Sequence, residues 1–291
     1  MSGYRFCRTD DVAALVHAWN ACYRIHFPDL APMTVEGFRR LMRELDLWTS
    51  SCMLAIEGDR PIGVLLSCKR ETGSLIYGVG VHPEFARAGH GRHMLESLRS
   101  KLAILGPPRI VAEVPSVEEG ACRFLEACGY ARERTYTDLL LQRRPEPPAA
   151  AEFVVEVTAD DLLAHGAVER VSGAAWHRVP EAIARRRASL RGLALASDER
   201  IEAHVLYHDA APREPCEILA FGAALPERRD ALLALLIQTL AARREGPVLL
   251  RRTTPDEVPF ALLEAFGFRP AGRTHVYALD ARVAGERGGP G

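Results

Sequence analysis

Gly78-Val79-Gly80-Val81-His82-Pro83-Glu84-Phe85-Ala86-Arg87-Ala88-Gly89-His90-Gly91-Arg92-His93-Met94-Leu95 runs from a β-rich segment through a loop with two glycines into a helix. Pro83 ends the strand because it has no N–H to donate to a ladder. Met94, Leu95, Leu98 and Leu102 recur at helical spacing and predict one apolar face. Glycines at 89 and 91 permit close backbone approach, and the first helical turn adds unpaired donors and the positive end of its dipole. Such a loop suits a phosphate or pyrophosphate. Met94 stands where a dinucleotide fingerprint needs its third glycine, and no Gly-Lys-Ser/Thr follows, so neither that motif nor a P-loop is present.

Upstream, Tyr4 to Arg8 predicts a first strand. A helix capped by Asp10 or Asp11 follows, with Leu15, Val16, Trp19 and Cys22 on one face, and then a second helix capped by Thr34 and carrying Phe38, Leu41, Met42 and Leu45. Three strands then meander through Gly58-Asp59 and Thr72-Gly73 turns: Cys52 to Glu57, Ile62 to Cys68 and Leu75 to Val81. Downstream come a strand from Ile110 to Val114, a short helix from Glu119 to Cys128 closed by Gly129, and a strand from Thr135 to Leu141.

This order, together with Val81-His82-Pro83 and Gly89-His90-Gly91, resembles the acetyl-CoA-binding half of the GNAT superfamily of N-acetyltransferases, and Ala121 to Tyr130 resembles its Ala-x-x-Phe-Tyr-Glu-x-x-Gly-Phe signature. Ala86 stands at the family's Arg/Gln position, with Arg87 beside it, and Leu125 stands where many members carry the tyrosine that protonates the leaving thiolate. The resemblance implies an α/β (α+β) fold with a mixed, mostly antiparallel central sheet flanked by helices. It implies acetyl-CoA as cosubstrate, held at the pantetheine and acetyl carbonyl by Val79, Gly80 and Val81 and at the pyrophosphate by Arg87, Ala88, Gly89, His90, Gly91 and Arg92. It also implies direct attack by an amine, with Glu113 the nearest candidate base. Tyr77 and His82 are further titratable candidates, and Asn20, Tyr23 and His26 sit where the family's first helices shape the acceptor pocket. With Leu125 in the tyrosine's place the thiolate leaves without that acid, and Leu125→Tyr is expected to change the rate modestly. A non-catalytic acetyl-CoA sensor or interaction module is the alternative.

Gln142 to Ala151 is proline-rich and predicts a stiff connector. Beyond it, Leu262 to Phe268 copies Phe124 to Tyr130, Arg273 to Tyr277 echoes Arg134 to Tyr136, and Leu219 to Leu225 before Pro226-Glu227 echoes the strand before Pro83-Glu84. The second copy replaces the glycine loop with Pro226-Glu227-Arg228-Arg229-Asp230 and is expected to be a degenerate module without coenzyme A. The expected division is 1–144, a linker at 145–151, a second module at 152–282 and a disordered tail at 283–291.

A net charge of −1 gives no electrostatic support for a nucleic-acid or anionic-membrane partner, and no apolar run approaches spanning length. Cysteines 7, 22, 52, 68, 122, 128 and 216 are odd in number and lack a Cys-x-x-Cys pair. They read as reduced core thiols of a cytoplasmic protein. His90 and His93 have no third ligand near in sequence, so no metal is expected. Partners are expected to be a small-molecule amine or a peptide amine, with the chain a monomer or homodimer.

Overall fold

The computed structural model describes residues 2–142, 145–169, 171, 173–209, 211 and 214–283. The chain forms two compact units, one of Met1–Arg134 with His275–Gly291 and the other of Thr135–Thr274.

The first unit opens with β1 (Ser2–Phe6), α1 (Val12–Cys22), a 3₁₀ turn (Arg24–His26) and α2 (Val35–Leu45). Then come β2 (Met53–Glu57), β3 (Arg60–Arg70), β4 (Gly73–Val81), α3 (His90–Leu105), β5 (Arg109–Pro115) and α4 (Glu119–Ala127). Strands β1 to β4 form an antiparallel meander, and β5, reached across α3, lies parallel to β4. Met94, Leu95, Leu98 and Leu102 pack on one sheet face against Met53, Leu65, Ile76 and Ile110, as the helical spacing predicts. On the other face α1 lies directly on β4. A Cβ at Gly78 would stand 2.6 Å from Trp19 Cη2, and one at Gly80 would stand 2.5 Å from the Cys22 carbonyl oxygen. Thr34 caps α2 by accepting the Gly37 N–H at 3.0 Å. Asp11 precedes α1 but does not cap it, because Arg5 and the Arg8 N–H take its carboxylate.

After β6 (Ala131–Leu141), the second unit repeats the succession. It has β7 (Val155–Thr158), α5 (Ala159–Ala164), a 3₁₀ turn (Trp176–Arg178), α6 (Pro180–Arg186), β8 (Leu190–Ala196), β9 (Ile201–His208), β10 (Cys216–Ala223), α7 (Arg229–Ala242), β11 (Val248–Thr253), α8 (Phe260–Ala265) and β12 (Arg269–Asp280). Here too an antiparallel meander, β7 to β10, meets a parallel β11. Leu236, Ile237 and Leu240 of α7 lie in a core with Val205, Ile218 and Leu250.

The units differ from segments 1–144 and 152–282 at both seams. From Thr135 onward β6 belongs to the second unit, where Leu139, Leu140 and Leu141 pair with β11. From His275 onward β12 belongs to the first, where Tyr277 and Ala281 are buried with Leu125 and Met94, and the Ala281 N–H donates to the Pro108 carbonyl at 2.7 Å. The repeat therefore marks where each module's sequence recurs and not where the chain changes compact unit. Part of the proposed linker, Ala149–Phe153, is a 3₁₀ turn. Of the predicted tail, residues 284–291 lie outside the described residues. All seven cysteines are free thiols, six of them buried. Among the described residues no helix is long and apolar enough to cross a membrane.

Candidate active site

The parallel ladder of β4 and β5 pairs Ser74 with Ile110, Leu75 with Val111 and Ile76 with Ala112, and goes no further. The register of β4 on β3 slips at the same point, leaving Tyr77 as a bulge. From there to Val81 one edge of β4 faces a gap. The His82 N–H donates to the Ile62 carbonyl, which fixes the antiparallel parity: Gly80 turns its backbone groups to β3, and Val79 and Val81 turn theirs to the gap. Val79 and Val81, two of the expected pantetheine contacts, therefore present their backbone groups at the gap. Gly80 does not; its missing side chain makes room for α1.

Beyond Val81, the Pro83–Phe85 turn leads to Arg87 (φ 65°) and Gly89 (φ 86°), both left-handed, and then to α3. None of the amide N–H groups from Arg87 to Arg92 has an acceptor among the described residues, and the first helical bond is the His93 N–H to the Gly89 carbonyl. Six consecutive unpaired donors at a helix N-terminus form a cradle for an anion. Gly89 is there for its backbone conformation, since a Cβ would meet nothing within 4 Å. Gly91 is there for packing: a Cβ would stand 3.1 Å from Phe124 Cζ and 3.7 Å from Val81 Cγ2.

The loop's side chains divide into those at the cradle and those turned away. Arg87 is exposed, with no hydrogen bond or ion pair to another described residue. Arg92 donates to the Ala127 carbonyl at 2.9 Å and so closes the C-terminus of α4. His90 is buried, its Nδ1 2.5 Å from the Tyr4 hydroxyl, and His93 rests on the same ring at 4.0 Å between centroids. The side chains of Arg92 and His90 are therefore committed elsewhere, and only their backbone N–H groups are left at the loop. His82 is held by Arg60 and accepts the Glu84 N–H at 3.3 Å.

On β5, Ile110 and Ala112 point into the α3 core, so strand alternation turns Glu113 to the face that carries α1. That face holds an aromatic file: Tyr23 stacks on Trp19 at 3.9 Å, and Tyr77 and Phe27 lie 5.6 and 5.0 Å from Trp19 and Tyr23. Burial pushes the Tyr23 hydroxyl up to about 12, with smaller contributions from Tyr77 and Glu118, so at neutral pH it carries its proton. His26, last residue of its 3₁₀ turn, lies with Nε2 2.8 Å from the Val81 carbonyl oxygen. A carbonyl only accepts, so Nε2 bears the hydrogen. Asn20 instead clamps Met33 through both its amide atoms and serves the fold.

On α4, Leu125 is sealed in the core with Leu95 and Leu98, and Phe124 is the residue that reaches the cradle. Neither carries a proton to give. Tyr130 is also buried, which raises its hydroxyl pKa and removes it from any gap chemistry. A Tyr placed at 125 would enter the core. Among the described residues no group of His, Cys, Asp or Glu has the geometry to hold a metal.

Residues 12–130 match the acetyltransferase (GNAT) family. An acetyltransferase of Photorhabdus laumondii, plu1384, is 26% identical over 140 residues, covering 48% of this chain and 93% of that one. Two solved structures share the fold over nearly the whole length. A GCN5-related N-acetyltransferase from Sphaerobacter thermophilus has TM-score 0.65 and 16% identity over 97% of this chain and 96% of that one. A tandem GNAT protein from the clavulanic acid biosynthesis pathway has TM-score 0.66 and 17% identity over the full length of both.

Proposed function

We propose that this chain, whose residues 12–130 match the acetyltransferase (GNAT) family, is an N-acetyltransferase of tandem modules whose first unit alone carries acetyl transfer to a primary amine, by direct attack on the thioester of acetyl-CoA. The observation that carries this reading is the run of unpaired amides from Arg87 to Arg92 at the end of a strand that no longer pairs with β5 beyond Ile76. The donor set fits a pyrophosphate, with the exposed Arg87 guanidinium adding charge. The outward backbone groups of Val79, with the Val81 N–H, suit an extended amide-bearing arm laid along a strand edge.

Bound acetyl-CoA supplies the thioester, with the thiolate as leaving group. The chain's own residues do the rest. Glu113, on the α1 face of the gap, takes the proton that an ammonium must lose before its nitrogen can bond to the acetyl carbon. The aromatic file of Trp19, Tyr23, Phe27 and Tyr77 walls the amine's side and keeps water from it. The C–S bond breaks without a neighbouring acid, which a thiol pKa near 8.5 tolerates.

Release of free coenzyme A, screened over amine classes, tests the reading. Amine-dependent turnover is expected, with a pH profile that rises through amine deprotonation and shows no alkaline fall. Glu113→Gln should lower turnover roughly 10²- to 10⁴-fold while acetyl-CoA affinity holds. Leu125 in place of the family's tyrosine favours a second reading, an acetyl-CoA-binding module without turnover; slow, amine-independent hydrolysis would select it.

A further inference from the structure

The two units can be superposed residue by residue through their ladders. The parallel pairing ends at Ile76 with Ala112 in the first and at Ile218 with Leu250 in the second, and each central strand bulges at the next residue, Tyr77 and Leu219. Leu219 to Ala223 therefore face a gap as Tyr77 to Val81 do. Glu113 of the first gap has Arg251 as its counterpart.

The 3₁₀ turn between the first two helices has a counterpart as well, Arg24–His26 in one unit and Trp176–Arg178 in the other. Each turn delivers its last residue to its gap. His26 reaches the Val81 carbonyl on β4. Arg178 is longer and crosses the gap: its Nε donates to the Leu219 carbonyl of β10 at 3.1 Å and its Nη1 to the Arg252 carbonyl of β11 at 3.2 Å. Glu257 lies 2.7 Å from the same Nη1, and both charged side chains are buried, 4% and 2% exposed. The Phe221 ring lies 5.6 Å from the guanidinium carbon. Arg252 is held in a left-handed conformation (φ 51°), its N–H donating to Asp138 Oδ1 at 2.7 Å where the β11 register slips. An exposed surface ion pair would not call for a strained backbone or a neutralised, buried arginine.

We infer that Arg178 is a resident plug of the second unit's gap. It ties β10 to β11 across the gap that an extended ligand arm would have to enter, so that this module is closed to acetyl-CoA by its own side chain as well as by its missing glycine loop. A bound arm and the plug would compete for the same gap, and the plug is covalently part of the chain.

The test is hydrogen exchange read by mass spectrometry on the full chain, with and without saturating acetyl-CoA. In the wild type, acetyl-CoA should slow exchange in peptides covering 73–92 and leave those covering 216–228 and 248–253 unchanged. Arg178→Met alone strands a buried carboxylate and can fail to fold, so the deciding variant is Arg178→Met with Glu257→Leu, which leaves no unpaired charge. In that variant the amides of 219–223 and 251–253 should exchange about tenfold faster or more, with 73–92 unaltered. Protection of 216–228 by acetyl-CoA in the wild type, or wild-type exchange in the double variant, overturns the inference. The comparison with acetyl-CoA rests on the proposed function. If the nucleotide protects 73–92 nowhere, that function fails while the double variant still decides the plug.

Discussion

Gly91→Asp, set against Gly91→Ala, separates shape from charge at the proposed cradle. A Cβ at 91 points at Phe124 Cζ, 3.1 Å away, and at Val81 Cγ2, 3.7 Å away. Phe124 is half-buried and its ring can give by the few tenths of an ångström required. Position 91 is also the second residue of α3, where alanine gains up to about 1 kcal/mol of helix propensity over glycine. Gly91→Ala should thus leave stability within about 1 kcal/mol of wild type and acetyl-CoA affinity within about threefold. Gly91→Asp adds the same Cβ with a carboxylate. A negative charge in the first turn favours the helix by about 0.3–1 kcal/mol, so the fold should survive. The same charge removes one or more charge-assisted bonds to the pyrophosphate, about 1.5–3 kcal/mol each, and Kd should rise roughly tenfold to 150-fold for each one lost. Calorimetry on both variants, with thermal melting as the control for folding, makes the measurement. An Asp variant that binds acetyl-CoA as tightly as the wild type would refute the location of the anion, and an Ala variant as weak as Asp would show that the cradle is lost through packing.

Tyr277→Ala removes an aromatic ring from the first unit's core, and should destabilise the transition that acetyl-CoA shifts by about 3–5 kcal/mol; Tyr277→Phe, which loses only the bond to Glu126, should cost about 1 kcal/mol. If urea unfolding shows the loss in the transition that acetyl-CoA does not shift, the strand assignment is wrong. Burial lowers the His204 pKa to about 4, below its ordinary 6.5, so the unfolded chain binds the extra proton between these values and the second unit loses stability as pH falls from 6.5 toward 4. The loss should reach about 2 kcal/mol at pH 5, and urea midpoints at pH 7 and 5 should lose that difference in His204→Asn. Leu125→Tyr should cost about 1–3 kcal/mol by overpacking and restore no alkaline limb to the pH profile, which melting and rate measurements check together.

The elements around the glycine loop were legible because each carries local chemistry: Pro83 stops β4, Thr34 caps α2 and an apolar stripe directs α3. The cradle was legible for the same reason, since backbone donors depend on the loop's shape. Side-chain direction was not. His90 and Arg92 look like loop residues in sequence, and only the position of Tyr4 and of the Ala127 carbonyl turns them away. The facing of Glu113 needed the core partners of Ile110 and Ala112. Arg178 had a signal in the repeat, the last residue of the turn between two helices, but the segment before residue 215 has too little likeness to its first copy for the match to be read without strand registers.

Because β12 from His275 onward completes the first unit, that unit is built from two stretches of chain with the whole second unit between them. During synthesis, residues through Arg134 emerge first and wait for about 140 more before Tyr277 and Ala281 exist to fill their core. At about 5–20 residues per second that wait is roughly 7–28 s. Through it the β5 edge, which β12 covers in the finished unit, is an unpaired row of donors and acceptors on a ribosome-bound chain. A premature stop between codons 275 and 281 would therefore read as a lesion of the N-terminal half, and the β5 edge of the waiting chain is the strand edge most in need of shielding at the tunnel exit.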